Sequence, residues 1–381
     1  MSDKTAQSQT NPRKKVLRNM DRRTYLGALS GLAGTVAFPA VVQGEQEDTV
    51  EIITVRDGNG EPLDRERVPE EWYEHNEEFD ELYYSKQEEY GNFEWYGSVG
   101  KRRCPETING KNKFDLVVYA KDLGQAEDVV PDEINDINII LDEWSEGSEP
   151  SCPSKPGWCN EDEYDCMKGG AYVECEQSNG TGYSTGGCIV ELDDEVHYIT
   201  DAHSFEDDQC DAIGGHKAYT GTDEKEIGEV EAYDSGTDVA IVDDSGDIDG
   251  IGDGIIEDDY PIRGHVTSSG YDSMLAEEKI VNKYGAKTCG SSGQIQERQS
   301  RTRCGNEEDY ALAEVDVHNG DSGAPLYDVR FNQPIGNYIA IISLITWCAD
   351  SDTFGGVPAY RLQERFDPTY DLSFTGNSAG C

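Results

Sequence analysis

Short apolar runs separated by polar turns fill the second half of the chain. From about Lys168, segments such as GGAYVECE, HYIT, DVAIV and YIAIISLITW alternate with turns of Gly, Asp and Ser. Runs of this length predict strands, and no long helical period interrupts them. We therefore predict one all-β domain, a sandwich or barrel of about ten strands, over residues 168–381.

Residues 45–150 show a different pattern. RERVPEEWYEHNEEFDELYYSKQEEY spaces aromatic and aliphatic residues among charges and predicts an amphipathic helix. KFDLVVYAKD and INDINIILDE predict strands. This region is expected to be a small α+β unit, either a prosegment that assists folding or blocks a site, or an accessory domain. A connector rich in Cys, Pro and Gly, residues 151–167, follows it.

The first segment of the chain, residues 1–44, carries a targeting pattern. Lys and Arg crowd before Arg22 and Arg23, residues 24–42 carry no charge, and acid begins at Glu45. This resembles a twin-arginine export signal and predicts a secreted protein, or a cell-surface protein if the segment is retained. A membrane-spanning helix is the alternative, since the uncharged stretch is just long enough to cross a bilayer.

The charge balance limits the classes of partner. The 381 residues include 78 Asp and Glu against 31 Lys and Arg, a formal charge of −47. Such a charge repels itself and destabilises a compact state unless counterions screen it. The acid is spread over the whole length, as in proteins of extreme halophiles. It argues against nucleic-acid binding, because phosphate contacts need clusters of Lys and Arg.

Two features raise the question of a bound metal. Eleven Cys predict disulfides in an exported chain, with one Cys left over or paired between chains. Four of them, at 152, 159, 166 and 175, offer a zinc site as the alternative, although no Cys-x-x-Cys occurs. SGDIDGIGDG, residues 245–254, spaces Asp as calcium loops do, but Ile256 falls where the bidentate Glu belongs. We expect an acidic surface loop there and no cofactor.

NGDSGAP places Ser322 in a setting that suits nucleophilic catalysis. A catalytic Ser needs a base, an acid that orients the base, and N–H donors for the oxyanion. None of the six His follows Ser322, which excludes the Ser–acid–His order of α/β-hydrolases. In the remaining order, His–Asp–Ser, YITDAHSF supplies His203. SGTDVAIVDD supplies Asp238, favoured over Asp234 and Asp243 by the apolar run that follows it.

Taken together, these motifs resemble a known family. ITDAHSF, TDVAIV and NGDSGAP, in that order, look like the chymotrypsin/trypsin family of serine peptidases. VNKYGAKTCGSSGQI, residues 281–295, resembles the segment that opens the second barrel in bacterial members such as the streptogrisins. The resemblance covers residues 168–366. It implies two six-stranded antiparallel β-barrels with the site in the cleft between them.

The resemblance also implies a role for each matched residue. Ser322 would be the nucleophile, His203 the general base and then acid, and Asp238 the residue that holds the tautomer of His203. The amides of Gly320 and Ser322 would form the oxyanion hole. Asp321 would make an internal ion pair whose partner the sequence does not identify.

Two residues are candidates for the specificity pocket. Asp316 lies six residues before Ser322, where trypsin-like members keep the acid that selects Lys or Arg. The alternative is that Asp316 is simply one of the many acidic residues on the surface. Trp347, in the stretch ITW, resembles the pocket-edge strand that pairs with the substrate backbone. A buried core Trp is the alternative.

The chain departs from the family pattern at four positions. Ala324 stands for a second Gly, Ser204 and His318 stand for Cys, and Asp201 is an unusual polar neighbour inside the His motif. None of these departures removes a catalytic group.

The missing family disulfides lead to two pairing predictions. The resemblance suggests that Cys188 bridges to Cys210, and that Cys289 bridges to Cys304. The sequence as a whole predicts a secreted, salt-adapted serine endopeptidase acting on proteins or peptides. The alternative is a binding module that kept the fold but is catalytically silent or locked as a zymogen by residues 45–150.

Overall fold

A computed structural model describes most of the chain from residue 48 onward. The described residues are 48–144, 157–160, 166–206, 210, 212–221, 225–258, 260–333, 335–348, 353–366 and 372–374. They belong to one compact unit, Asp48–Cys381. The twin-arginine segment, residues 1–44, and most of the connector lie outside the described residues. None of the described helices is both long and apolar enough to cross a membrane.

The chain is mostly β. The helices are α1 Glu70–Tyr90, α2 Leu123–Ala126, α3 Ser268–Ala276 and α4 Ala359–Phe366. The strands up to the middle of the chain are β1 Thr49–Arg56, β2 Pro62–Pro69, β3 Tyr96–Ile108, β4 Lys111–Ala120, β5 Glu133–Ile134, β6 Ile137–Glu143, β7 Cys166–Gly169, β8 Tyr172–Gln177, β9 Gly180–Thr185, β10 Cys188–Leu192 and β11 Glu195–Asp201. The remaining strands are β12 Lys217–Thr220, β13 Lys225–Asp234, β14 Val239–Val242, β15 Gly250–Ile255, β16 Ile262–Val266, β17 Ile280–Gly285, β18 Cys289–Arg303, β19 Asn306–Glu314, β20 Pro325–Asn332, β21 Gly336–Cys348, β22 Thr353–Pro358 and β23 Leu372–Ser373.

Helix α1 is the amphipathic helix that the pattern of residues 45–150 predicts. It begins after Pro69 with Glu70 and Glu71, and acid in the first turn is favoured by the helix dipole. The buried residues recur at helical spacing, namely Trp72, Asn76, Phe79, Tyr83 and Tyr90. β4 and β6 confirm the two strands predicted for this region.

The first β unit positions two of the candidate site residues. Its eight strands run in the order β23-β10-β11-β14-β13-β12-β8-β9. β11 and β14 are antiparallel neighbours, and Asp201 lies opposite Val239 at the end of their ladder. His203 follows the end of β11 and Asp238 directly precedes β14. The strand register therefore brings these two residues side by side.

The second β unit is a closed barrel. Its six strands pair antiparallel around a ring, β17-β18-β19-β22-β21-β20 and back to β17. Ser322 lies in the connection between β19 and β20. The expected all-β class is confirmed: two β units, one of them a closed six-stranded antiparallel barrel, follow an α+β region.

The α+β region shares its sheet with the second barrel. β3 pairs with β18, with Lys101 opposite Arg298, and β1 pairs with β16, with Val55 opposite Val266. The result is one 13-stranded sheet. One hydrophobic cluster combines residues of the α+β region with the second barrel, and the other combines the two β units.

A cluster of buried charges lies at this junction. Lys101 Nζ is 2.8 Å from Asp80 and 2.9 Å from Asp272, and Arg298 is ion-paired to the same two carboxylates. The side chains of Lys101 and Arg298 are 0% exposed, and that of Asp272 is 1% exposed. Two cations thus balance two carboxylates across the boundary. Removing one charge would leave a buried carboxylate without compensation.

The disulfide predictions are wrong. Cys159 is bonded to Cys289, and Cys210 to Cys304, whereas Cys188 is buried in the core without a disulfide. Cys289 and Cys304 stand at opposite ends of the 15-residue strand β18. An extended strand rises about 3.3 Å per residue, so these two thiols lie far apart. The bond of Cys159 also rules out its part in the alternative zinc site.

The strands predicted from the runs GGAYVECE, HYIT, DVAIV and YIAIISLITW are present as β8, β11, β14 and β21, but two helices, α3 and α4, were missed. α3 carries its own N-cap, since the Thr267 hydroxyl accepts a hydrogen bond from the Gly270 amide at 3.0 Å. Seven of its nine residues are buried. A helix buried almost all round has no amphipathic period, so its sequence pattern does not reveal it.

Replacing Lys101 with Met should destabilise the protein by about 3–5 kcal/mol, because the buried Asp272 loses a charge partner. Chemical unfolding in concentrated salt measures this free energy. Lys113→Met is the matched control, because Lys113 makes only an exposed pair with Glu106 at 3.3 Å. The control should change the free energy of unfolding by no more than about 0.5 kcal/mol. Equal effects of the two substitutions would contradict a structural role for the buried cluster.

Candidate active site

His203 and Asp238 form a hydrogen-bonded pair. His203 Nδ1 is 2.8 Å from Asp238 Oδ2, and the His203 amide donates to Asp238 Oδ1 at 2.9 Å. Asp238 is fully buried, whereas the His203 side chain is 30% exposed. With Nδ1 engaged, the other ring nitrogen, Nε2, is the one that can take up a proton. The two residues predicted from the sequence are therefore brought together in the geometry of a base and its orienting acid.

Asp238 has a second charged partner that sequence reasoning missed. Arg303, the last residue of β18, places Nη1 2.5 Å from Asp238 Oδ2. The same oxygen faces His203 Nδ1. The Arg303 side chain is 14% exposed, and its Nε and Nη2 atoms have no hydrogen-bond partner in the described part of the chain. No motif marks this residue, because it comes from the other β unit.

Asp201 is a second carboxylate beside the same imidazole. Its Oδ2 is 3.3 Å from His203 Nδ1 and accepts a hydrogen bond from the Ser204 amide at 2.9 Å. Its Oδ1 accepts a hydrogen bond from the Ser184 hydroxyl. Asp201 is fully buried. The odd polar neighbour noticed in the sequence thus lies in direct contact with the candidate base.

The charges around His203 set its protonation. Burial lowers the pKa of His203, but the carboxylates of Asp201 and Asp238 raise it more, and the net pKa is about 9. Arg303 acts in the opposite direction. Burial, with a smaller contribution from Asp238, raises the pKa of Glu206 nearby to about 7. The imidazolium form of His203 is therefore strongly favoured at neutral pH.

The loop that carries Ser322 is a sharp turn flanked by two glycines. Gly320 has φ +104° and Gly323 has φ +82°, values that favour glycine. The Gly323 amide donates to the Ile345 carbonyl at 2.7 Å, and the Asp321 amide donates to the His318 carbonyl at 2.9 Å.

Two amides of this loop donate no hydrogen bond within the described part of the chain. Among the described residues, those of Gly320 and Ser322 donate no hydrogen bond. These are the two amides that the family resemblance predicts as oxyanion donors.

Ser184 and Thr185, at the end of β9, hold the Ser322 loop against the first β unit. The Thr185 amide donates to the Ser322 carbonyl at 2.7 Å, and the Thr185 hydroxyl donates to the Gly320 carbonyl at 2.8 Å. The Ser184 hydroxyl is 3.1 Å from the Ser322 carbonyl and also contacts Asp201. One side chain therefore connects the Ser322 loop to the surroundings of His203.

Asp321 has the buried ion-pair partner that the sequence left open. Lys283 Nζ is 3.2 Å from Asp321 Oδ2, and both side chains are 0% exposed. The Thr288 hydroxyl donates to Asp321 Oδ2 at 2.8 Å, and the His318 amide donates to it at 3.0 Å. Lys283 lies within the stretch VNKYGA that resembles the family. The pattern of residues around Lys283 does not predict that its charge is buried.

The two predicted pocket residues lie in different settings. The Asp316 side chain is 57% exposed, with Oδ1 3.4 Å from His318 Nε2, which is the position of a surface carboxylate. Trp347 is half-buried on β21, and the Arg301 guanidinium stacks 3.6 Å from its ring centroid. Among the described residues, no hydrogen bond or ion pair joins Asp316 or Trp347 to His203 or Asp238.

Asp201, His203 and Asp238 also offer one metal-binding atom each, all within 4.8 Å of one another. Protein donors already occupy these carboxylates. Asp238 Oδ2 accepts from Arg303 and His203, and Asp201 Oδ2 accepts from the Ser204 amide. We therefore assign no metal ligands here. In the acidic loop of residues 245–254, the last five residues belong to strand β15.

Comparison with known proteins gives only distant structural matches. No protein-family model matches the chain, and no curated protein sequence does. The solved structures similar to it include Thermobifida fusca Protease A, at 15% identity and a TM-score of 0.39, covering 56% of this chain and 100% of that chain. A glutamic acid-specific serine protease, described as using a histidine triad in substrate binding, matches at 10% identity and a TM-score of 0.39. The match covers 55% of this chain and 100% of that chain. Cellulomonas bogoriensis chymotrypsin matches at 16% identity and a TM-score of 0.38, and the match covers 55% of this chain and 98% of that chain.

Gly323→Ala should destabilise the protein more than the same change at Gly336. Both residues have similar φ, +82° and +85°, so each alanine carries the same backbone cost of about 1–2 kcal/mol. A Cβ on Gly323 would lie 2.0 Å from the Thr185 carbonyl oxygen, whereas a Cβ on Gly336 meets nothing within 4 Å. We expect about 1–3 kcal/mol more at Gly323, measured by chemical unfolding. Equal losses would show that the loop is not packed as described.

Proposed function

We propose that this protein is a serine endopeptidase that hydrolyses peptide bonds through an acyl-enzyme. The observation that carries the proposal is the buried Asp238 hydrogen-bonded to His203, beside a glycine-flanked loop whose Gly320 and Ser322 amides donate to no acceptor among the described residues. This constellation supplies a nucleophile, a base, an orienting acid and two oxyanion donors. It agrees with the order of the sequence motifs.

In the proposed mechanism Ser322 Oγ attacks the carbonyl carbon of the scissile peptide bond. Its proton passes to His203 Nε2, while the carbonyl oxygen gains negative charge and accepts hydrogen bonds from the Gly320 and Ser322 amides. Asp238 holds Nδ1–H and stabilises the imidazolium. His203 then gives its proton to the leaving amine as the C–N bond breaks. Water, deprotonated by His203, cleaves the ester and restores Ser322.

The ion pair between Lys283 and Asp321 supports the proposed oxyanion donors. Asp321 lies between Gly320 and Ser322, so the position of its carboxylate governs the direction of both flanking amides. Buried contacts with Lys283, Thr288 and the His318 amide fix that carboxylate. A cation inside the chain therefore stabilises the loop conformation that the proposed chemistry needs.

We further propose that the protein is exported and adapted to high salt. The twin-arginine pattern around Arg22 and Arg23 and the disulfides Cys159–Cys289 and Cys210–Cys304 support export. The formal charge of −47 supports salt adaptation, because counterions are needed to offset its self-repulsion. The melting temperature should rise steeply between 0.1 M and several molar salt, and a flat dependence would contradict the adaptation.

Residues 45–150 are proposed to be a permanent accessory domain rather than a removed prosegment. The support is the shared 13-stranded sheet and the buried charge cluster of Lys101, Asp80, Asp272 and Arg298. Intact-mass measurement on the active protein tests this proposal. A mature chain that begins after residue 150 would overturn it.

Labelling with a fluorophosphonate probe in concentrated salt tests the proposed chemistry. We expect one probe per molecule by intact mass, no labelling of Ser322→Ala, and full labelling of Ser245→Ala, which changes an exposed loop serine. Turnover of a peptide substrate should fall about 10⁴–10⁶-fold in Ser322→Ala. Folded wild-type protein that does not label would instead support the alternative, a silent or zymogen-locked binding module.

The pH dependence of peptide hydrolysis should show an acid limb near pH 9. The base must be neutral to accept the Ser322 proton, and its pKa of about 9 keeps His203 protonated at lower pH. Below that value kcat/KM should fall about tenfold per pH unit. The profile is measured from pH 6 to 11 in concentrated salt. A plateau that already begins at pH 7 would contradict the raised pKa.

A further inference from the structure

Arg303 has no counterpart in the predicted mechanism, yet it touches the central carboxylate of the site. It reaches Asp238 from the second barrel, at the tip of the hairpin formed by β18 and β19. In the described part of the chain, Asp238 is the one carboxylate paired with it. Two of its guanidinium nitrogens, Nε and Nη2, are buried and have no hydrogen-bond partner among the described residues, an arrangement that costs stability.

The hairpin tip is fixed from three directions. The disulfide Cys210–Cys304 ties the residue after Arg303 to the loop that follows His203. Arg301 stacks between the rings of Trp144 and Trp347, at 5.2 and 3.6 Å. Further down the same strand, β3 pairs with β18. The position of the guanidinium is therefore built into the fold.

The charges on the imidazole explain what such a cation does. Asp201 and Asp238 both face His203 Nδ1, at 3.3 and 2.8 Å. A single carboxylate suffices to orient a catalytic histidine. Two would hold the imidazolium so firmly that the base is rarely neutral. A cation on Asp238 opposes this second negative charge.

We propose that Arg303 is a positioning residue of the site, which clamps the Asp238 carboxylate against His203 and offsets the extra charge of Asp201. The inference rests on the proposed peptidase function. Arg303 acts through Asp238 and His203 and does not touch the substrate. Asp201 adds a negative charge beside His203, and Arg303 from the hairpin offsets that charge.

Five charged or titratable groups of the described residues surround His203. They are Asp201 at the end of β11, Asp238 before β14, Glu206 in the loop after His203, Arg303 on β18 and Tyr310 on β19. The pKa of Glu206 is about 7 and is lowered by Arg303, so Arg303→Gln should raise the pKa of Glu206 together with that of His203. Burial and the nearby Asp238 raise the pKa of Tyr310 far above this range. Tyr310 therefore does not disturb a comparison of His203 titrations around pH 9.

The test is the titration of His203 itself, followed by NMR of protein labelled at the histidine Cε1 in concentrated salt. His203→Gln assigns its signal among the six histidines. In Arg303→Gln we expect the midpoint to rise by about one pH unit, and in Asp201→Asn to fall by a similar amount. The double variant should return toward the wild-type midpoint. Arg303→Lys, which keeps the charge, should stay near wild type.

Arg365→Gln is the matched control, because it removes a guanidinium paired with Asp234 at 2.8 Å and Glu308 at 3.8 Å rather than with Asp238. Its midpoint should not move. An unchanged or lowered midpoint in Arg303→Gln would overturn the proposal, as would an equal rise in the control. In kcat/KM, the acid limb of Arg303→Gln should move up by the same interval, with about a tenfold loss at pH 7.

The titration needs no turnover, so the two proposals fail separately. An inactive wild-type protein whose His203 midpoint still responds to Arg303 would overturn the peptidase proposal and leave the charge compensation standing. An active enzyme whose His203 midpoint does not change in Arg303→Gln would overturn the charge compensation and leave the peptidase proposal standing.

Discussion

Strand β18 is the constraint on which the rest of the structure depends. It pairs with β17 and β19 in the closed barrel and with β3 of the α+β region, so three parts of the molecule share its register. Arg298, near its middle, lies in the buried charge cluster, and Arg303, at its end, contacts Asp238. A one-residue slip would turn both guanidinium groups to the opposite face. Folding of the α+β region and geometry of the candidate site are therefore coupled through a single strand.

The distribution of charge inside this acidic protein follows a simple rule. Basic residues are scarce, 31 against 78 acidic ones, yet Lys101, Lys283 and Arg298 are wholly buried. Each is paired with a buried or half-buried carboxylate that could not remain ionised there alone. Surface acid repels itself and is screened by salt, whereas these internal pairs are screened much less. At least three of the 31 basic side chains thus lie where screening by the solvent cannot replace them.

The candidate active site also pairs buried carboxylates with basic side chains. A second carboxylate, Asp201, stands beside His203, and a guanidinium from the other β unit opposes it. The balance of the three charges decides how readily His203 gives up its proton. With both carboxylates beside it, the pKa of His203 is raised to about 9. The Ser322 loop is stabilised in the same way, by Lys283 acting on Asp321.

The sequence by itself determined the all-β class, the helix α1, the strands in the quoted runs, and the pairing of His203 with Asp238. These depend on local hydrophobic period and on short motifs, which a linear pattern records. Only the tertiary structure decided the disulfide partners, the buried helix α3, and the contacts of Arg303 and Lys283 with their carboxylates. Each of these joins residues far apart in the chain, and an isolated Arg or Lys in a strand carries no sign of what it will face. Strand register and barrel closure, which arise from pairing across the whole fold, supply that information.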